Sequence, residues 1–311
     1  MKERKVYING KLVPESKARI SIFDLGFKYG AVFYESMRTF NHKIFKLEER
    51  LKRLENSLKY AGFENLLNME EIEKIINKVL EVNLKFVEKE DDLFLVVEIT
   101  PGIGPTHPLS PQKEFLPTVI VYTSPIPYSE FAKYYLIGKP AFIVKTCNIP
   151  PECFDPQIKC RSRLHFFLAK KEVEKYKTDA FALLPDLKGN ITESTGANFF
   201  IVKDGILFTP SSKNIVKGIT RQTIIEIAEK LGINVIEKDI KEEEVLKADE
   251  AFFTATTFCI LPISSINNVT IGKKIPGPYT KKLISAWSEM VGVDIVKQAI
   301  KFAKISAPGQ I

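Results

Sequence analysis

Ile158-Lys159, Gly189-Asn190-Ile191-Thr192-Glu193, Asn198-Phe199-Phe200 and Gly218-Ile219-Thr220-Arg221 form the series on which this sequence turns. It sets out an amine, then a carboxylate, then the start of a helix. Lys159 closes a Pro-rich loop and precedes a helical pattern marked by Leu164, Phe167, Leu168 and Lys171. Desolvation, with a second cation nearby, lowers a lysine pKa toward neutrality and makes the amine a usable nucleophile or base. Glu193 follows a turn at Lys188-Gly189; taken alone it reads as an ordinary turn glutamate. Gly218 to Arg221 opens a helix, and the unpaired N–H groups and dipole at such a start hold anions. Many capped helices begin in the same way, so the order of the pieces carries more weight than any one piece.

Outward from that series the chain alternates strand and helix signals. Val6-Tyr7-Ile8, Asn9-Gly10 and Lys11-Leu12-Val13 predict a hairpin with a type I′ turn. Leu47, Leu51, Leu54 and Leu58 recur at helical spacing and predict an amphipathic helix from Leu47 to Tyr60. Asn68 and Glu71 resemble a capping box ahead of a stripe of Ile72, Ile75, Ile76 and Val79. Two strongly apolar strands follow, Leu93 to Thr100 and Thr118 to Thr123. Ser124-Pro125-Ile126-Pro127 is the best linker candidate. Beyond it, Ala141 to Thr146 and Ala180 to Leu184 read as strands. Asn198 to Val202, Asp204-Gly205 and Ile206 to Thr209 predict a second hairpin. Thr220 to Leu231 reads as a helix, Ala251 to Thr254 as a short strand, and Tyr279 onward as a terminal helix. The expected organisation is a small α+β domain at 1–124, a linker at 125–136 and a larger domain at 137–311.

The length of 311 residues suits two domains. A net charge of +7 could suggest nucleic acid, but the basic residues are mixed with acidic ones, as in Lys241-Glu242-Glu243-Glu244, and read as solvated surface. A positive field also favours anionic substrates and a phosphorylated cofactor. No apolar run approaches a membrane span, and Met1-Lys2-Glu3-Arg4-Lys5 leads straight into a strand with no signal-peptide core, so a cytoplasmic protein is expected. Cys147, Cys153, Cys160 and Cys259 match no common zinc spacing, and His42, His107 and His165 lie far apart. Reduced thiols and no metal site are expected.

With these motifs in place, the chain resembles the class IV aminotransferases, the fold-type IV pyridoxal phosphate family. Branched-chain aminotransferases, D-amino acid aminotransferases and aminodeoxychorismate lyases belong to it. The resemblance runs from about Tyr7 to Trp287. It implies an α+β, two-domain architecture, with a small α/β sandwich domain and a larger β-barrel-like domain. It implies a transaminase that uses pyridoxal 5′-phosphate, takes small amino acid and 2-oxo acid substrates, and forms a homodimer. Lys159 matches the lysine that bonds the cofactor's aldehyde and serves as the catalytic base. Glu193 matches the partner of the pyridine nitrogen. Ile219 and Thr220, by their N–H groups, and Thr256 and Arg53 match the phosphate contacts. Tyr34, Arg38 and Thr257 match the substrate side, and Tyr29 lies in the same segment.

Three departures bear on the subfamily. Branched-chain enzymes usually carry a tyrosine five residues after the lysine; here that position is Leu164, as in D-amino acid enzymes. D-amino acid enzymes carry an Arg-x-His pair for the substrate carboxylate; Pro105-Thr106-His107 keeps the histidine alone. Arg161 and Arg163, in Cys160-Arg161-Ser162-Arg163, are unlike both, and either could meet a carboxylate or stand in solvent. The segment around Arg38 resembles the branched-chain enzymes. The expected substrate is therefore an L-branched-chain amino acid, with D-amino acid transamination or a lyase reaction as alternatives.

Overall fold

The computed structural model describes residues 3–63, 67–110 and 114–304. The outermost residues of the two expected domains, 1–2 and 305–311, lie outside the described residues. The chain divides into two compact units, residues 1–126 with 158–163, and residues 127–157 with 164–311. The sequence expectation kept 137–311 together; the structure groups 158–163 with the first unit. Within the expected linker, 125–136, the chain forms short helices α4 (Tyr128–Phe131) and, reaching just beyond it, α5 (Tyr134–Ile137).

The first unit is an antiparallel sheet with helices. Its strands are β1 (Lys5–Ile8), β2 (Lys11–Pro14), β3 (Phe33–Phe40), β4 (Lys43–Ile44), β5 (Leu93–Thr100) and β6 (Thr118–Pro125), in the order β2-β1-β6-β5-β3-β4 among the described residues. The β1–β2 turn places Asn9 and Gly10 at φ 44° and 87°, the left-handed pair that a type I′ turn requires. Beyond the short helix α1 (Leu25–Tyr29) come α2 (Leu47–Tyr60) and α3 (Met69–Leu84). Helix α2 buries Leu51, Leu54 and Leu58 and packs on β3. Helix α3 buries Ile72, Ile76 and Val79 and packs on β1, β5 and β6. Its cap is simpler than the expected box: the Asn68 side chain accepts from Glu70 N. Strand β3, covered by α2 and flanked by β4 and β5, is buried along its whole length.

Residues 158–163 run beside the start of β3. Tyr34 N donates to Lys159 O at 3.0 Å, Arg161 N donates to Val32 O at 2.9 Å, and Phe33 and Cys160 form an isolated bridge. Gly30, at φ 67°, makes room for this segment; a Cβ there would lie 2.9 Å from Ser162 Oγ.

The second unit is built on a long mixed sheet. Its strands are β7 (Lys139–Ile143), β8 (Phe181–Pro185), β9 (Asn190–Ser194), β10 (Asn198–Lys203), β11 (Ile206–Pro210), β12 (Val235–Lys238), β13 (Ile240–Lys241), β14 (Glu250–Ala255), β15 (Cys259–Ile266) and β16 (Val269–Thr270). The path runs β12-β11-β10-β14-β15-β7-β8-β9-β13, with β16 paired to β15. The end strands, β12 and β13, are separated in the chain by Asp239 alone, so the sheet must curl until its two ends meet. This is how a barrel-like sheet hides its edges. Around it stand α6 (Leu164–Glu174), α7 (Ile219–Lys230), α8 (Glu242–Leu246), α9 (Pro278–Val291) and α10 (Ile295–Phe302). Asp204 and Gly205, at φ 49° and 79°, turn the second predicted hairpin.

The helix marked in the sequence by Leu164, Phe167 and Leu168 forms as α6, and these three residues are 69%, 56% and 50% exposed. Helix α6 buries Ala169 and Val173 instead, against Phe142, Val144, Ala182 and Leu184, with Phe166 partly buried beside them. The small residues allow a close approach to the sheet, and that leaves the larger ones outside.

Candidate active site

The first unit gathers Lys159, Tyr34 and Arg53 around a buried carboxylate that the sequence did not single out. Glu35, on β3, is fully buried. Its Oε1 accepts from Arg53 Nε at 2.6 Å and its Oε2 from Arg53 Nη2 at 2.8 Å, the two-pronged geometry of a strong arginine–carboxylate pair. Arg50, also buried, brings Nη1 to 3.9 Å from the same carboxylate. Burial alone would raise the Glu35 pKa; Arg53, Lys159 and Arg50 outweigh it and hold the carboxyl below its ordinary range. Lys159 N donates to Ser57 Oγ of α2 at 3.2 Å. Its amine lies 4.8 Å from the centre of the Tyr34 ring. Burial, followed by the charge on Arg53, pushes this amine down to about 7; Glu35 opposes the shift, and Arg163 and Arg50 add to it.

Tyr34 is the hub of the remaining charges. The Arg161 guanidinium stacks on its ring at 3.8 Å and pairs with Glu98 of β5 at 2.9 Å through Nε and 2.5 Å through Nη2. Arg163 Nη1 donates to the Tyr34 hydroxyl at 2.6 Å. Burial pushes the Tyr34 pKa up, against the pull of Arg163 and Arg161.

Arg38 stands elsewhere. It is four residues along β3 from Tyr34, which is roughly 13 Å of strand. It is buried, its guanidinium lies 4.3 Å from the Phe40 ring centre, and its Nε donates to Thr39 O at 3.4 Å. Tyr29 is 71% exposed. His107 stacks on Phe23 at 4.5 Å, and its Nδ1 accepts from Leu109 N.

The second unit brings together Glu193 and the start of α7. Glu193 is buried on β9. Its Oε1 accepts from Asn148 Nδ2 at 3.5 Å and Val216 N at 3.4 Å, and its Oε2 from Asn198 Nδ2 at 3.3 Å. Both asparagines are anchored in turn: Asn148 donates to Asn214 O and Asn198 to Val216 O, each at 3.0 Å. Gly218, the residue before α7, is pressed against Asn198; a Cβ there would come within 2.1 Å of Asn198 Oδ1. The absent side chain thus lets the helix start, with Ile219 and Thr220, approach the support of Glu193. Arg221, the last residue of the quoted motif, serves as an anchor. It is buried, bonds Thr209 Oγ1 and Pro210 O, and pairs with Glu237 at 2.7 Å.

Sheet register adds Thr256 and Thr257 to this end of the second unit. Asn198 pairs with Thr254, so the turn that follows β14 leaves the sheet beside Asn198. Directly opposed residues share a sheet face. The buried Thr254 Oγ1, on the face of Asn198, has no hydrogen-bond partner among the described residues. An orphaned hydroxyl, a buried carboxylate on long bonds, and a helix start cleared by glycine form a donor and acceptor set that suits a phosphorylated heterocycle. Asn148 and Glu98 had no sequence signal; Asn198 stood beside Phe199-Phe200, and Glu35 between Tyr34 and Arg38, without being marked out.

Comparison with known proteins agrees with these features. The sequence profile of the Amino-transferase class IV family matches residues 32–266. The chain is 34% identical over 283 residues to a Methanocaldococcus jannaschii protein provisionally named a branched-chain-amino-acid aminotransferase, covering 90% of this chain and 93% of that one. It is 30% identical over 284 residues to the D-alanine aminotransferase of Bacillus licheniformis, covering 91% and 95%. Among solved structures, the branched-chain aminotransferase of the thermophilic archaeon Thermoproteus uzoniensis, solved with norvaline, matches with a TM-score of 0.79 at 28% identity, covering 97% of this chain and 98% of that one. The two-sheet α+β architecture is the fold-type IV architecture of these enzymes. The chain belongs to the class IV aminotransferases.

Proposed function

We propose that this aminotransferase works with pyridoxal 5′-phosphate and moves the amino group of an L-branched-chain amino acid to a 2-oxo acid such as 2-oxoglutarate. The observation that carries the proposal is the placement of Lys159, its N–H bonded to Ser57 and its amine 4.8 Å from the centre of the Tyr34 ring, where burial and the charge of Arg53 hold the amine well below the ordinary lysine range. When bound, pyridoxal phosphate supplies an aldehyde that carries the amino group and a ring that accepts electrons. Lys159 would hold the cofactor covalently, take the α-proton of the amino acid on its Nζ, and later give a proton back. A lowered pKa leaves a far larger share of these amines neutral near pH 7 than of ordinary lysines. Glu193 would keep the ring nitrogen protonated, with Asn148 and Asn198 fixing its two oxygens. The N–H groups of Ile219 and Thr220 would hold the phosphate, with Thr256 and Arg53 as further contacts. Tyr34 and Thr257 are assigned to the substrate side; Arg38 joins them from the resemblance alone.

No helix among the described residues is long and apolar enough to cross a membrane. The proposal includes a cytoplasmic homodimer with no nucleic-acid partner. The exposed Leu164, Phe167 and Leu168 stripe supplies an apolar face for a second copy.

Borohydride reduction followed by peptide mapping should find the cofactor on Lys159. Cofactor mass on another lysine, or none bound, would overturn the assignment. For the substrate, each buried methylene adds about 0.8 kcal/mol, so L-leucine or L-isoleucine should exceed L-alanine in kcat/KM. A second reading, transamination of D-amino acids, is favoured by Leu164 in the fifth position after Lys159. Faster turnover of D-alanine than of L-leucine would establish it in place of the first.

A further inference from the structure

Arg161 and Arg163 are equivalent in the sequence and different in the structure. The Arg161 guanidinium lies over the Tyr34 ring, 3.8 Å from its centre, and its charge is met by Glu98 through two close contacts. Arg163 approaches the same ring from its hydroxyl end, with its guanidinium carbon 5.9 Å from the ring centre and Nη1 2.6 Å from the hydroxyl. The Lys159 amine lies 4.8 Å from that same centre. Arg163 and the Lys159 amine therefore both lie against Tyr34. The charge on Arg163 is one of the causes that lower the Lys159 pKa, so it is felt at the base. Every amino acid presents a carboxylate one bond from the carbon that loses its proton. A cation held on the same tyrosine as that base, and felt by it, is suited to meet the carboxylate of the reacting molecule. Planar guanidinium groups bind carboxylates with two parallel hydrogen bonds, which fixes orientation as well as charge.

We propose that Arg163 receives a carboxylate of the substrate, and that Tyr34, through its hydroxyl, positions Arg163 for this task. The inference rests on the aminotransferase reading above and deepens it. The carboxylate is either the one on the α-carbon or the distal one of a dicarboxylic partner, and the substrates below tell the two apart.

The test uses full-length protein reconstituted with pyridoxal phosphate, as wild type, Arg163→Gln, Arg163→Lys and Tyr34→Phe. Half-reactions are followed with L-leucine, L-glutamate and L-leucinamide. A charge-assisted contact of this kind corresponds to about a 10- to 100-fold loss in affinity when removed. Arg163→Gln should raise KM by that factor for both amino acids if the α-carboxylate is bound, leaving leucinamide within about twofold of wild type. It should raise KM for glutamate alone if the distal carboxylate is bound. Arg163→Lys should recover part of the loss, because it restores charge without the fork. Tyr34→Phe keeps the ring that Arg161 stacks on. It should raise KM less than Arg163→Gln, and the double variant should be no worse than Arg163→Gln alone. Cofactor content and visible spectrum after reconstitution report folding in every variant. Unchanged KM in a cofactor-loaded Arg163→Gln, or an equal rise with leucinamide, overturns the assignment of Arg163 while the aminotransferase reading stands. Wild-type protein that takes up no cofactor overturns both.

Discussion

Replacing Glu35 by glutamine tests the electrostatic frame around Lys159. The two side chains have nearly the same shape, so packing is preserved and charge alone changes. In the native unit Glu35 is fully buried and meets Arg53 at 2.6 and 2.8 Å and Arg50 at 3.9 Å. Glutamine removes the charge and turns an amide toward a guanidinium. Breaking a buried ion pair by removing one partner costs about 3–5 kcal/mol, because the other charge is left without compensation. For a chain of this size the midpoint of thermal unfolding should fall by roughly 6–15 °C. The pH dependence gives a sharper check. The folded pKa of Glu35 lies below its ordinary value of 4.5, so its contribution is complete above that value and is lost as pH falls through the folded one. The gap between wild type and variant should therefore be full at neutral pH and close below pH 4.5. Since Glu35 holds the Lys159 pKa up, the variant should also move that amine further below about 7. A cycle with Arg53→Gln should show coupling, the double variant losing less than the sum of the singles. Calorimetry across pH is the assay. A midpoint change under about 2 °C, or a gap that persists undiminished into acid, would refute the reasoning.

Glu193→Gln should retain the cofactor but slow α-proton removal in single turnover, because an amide cannot favour a protonated ring nitrogen; an unchanged rate would count against the role. Gly218→Ala drives a Cβ to within 2.1 Å of Asn198 Oδ1, so it should cost about 1–3 kcal/mol in urea unfolding and weaken pyridoxal phosphate binding as α7 is displaced. Capture of pyridoxal phosphate by Lys159, trapped with borohydride over a pH series, should rise through a midpoint near 7 and level off well below 10.5; a midpoint near the ordinary lysine value would show that the amine is not desolvated.

What the sequence disclosed follows the range of the forces involved. Helix α2 is legible from Leu47, Leu51, Leu54 and Leu58 because a helix repeats its own face locally. The hairpins at Asn9-Gly10 and Asp204-Gly205 are legible because a turn is settled by two residues. Helix α6 was legible as a helix, but not its buried face: periodicity marks apolar residues without saying what covers them, and Ala169 and Val173 are the ones set against the sheet. The pairings of Glu35 and Glu98 were invisible for another reason: their arginine partners lie 18 and 63 positions away, and no local pattern records such contacts. The motif glycine at 218 was legible as a helix start, while its close approach to Asn198 required the folded chain.

The path of the chain through Lys159 has a consequence for its synthesis and dissection. The segment 158–163 joins the first unit only after residues 127–157 have been laid down as part of the second. A fragment that stops at residue 126 holds Glu35, Arg50 and Arg53 but not the amine they surround. A fragment that extends far enough to include the amine ends in an unfinished second unit. No uninterrupted stretch of the sequence holds Lys159 and its surroundings by themselves, so this buried amine cannot be moved as a separate module. During translation, the contact of β3 with residues 158–163 forms only once more than half of the chain has been made.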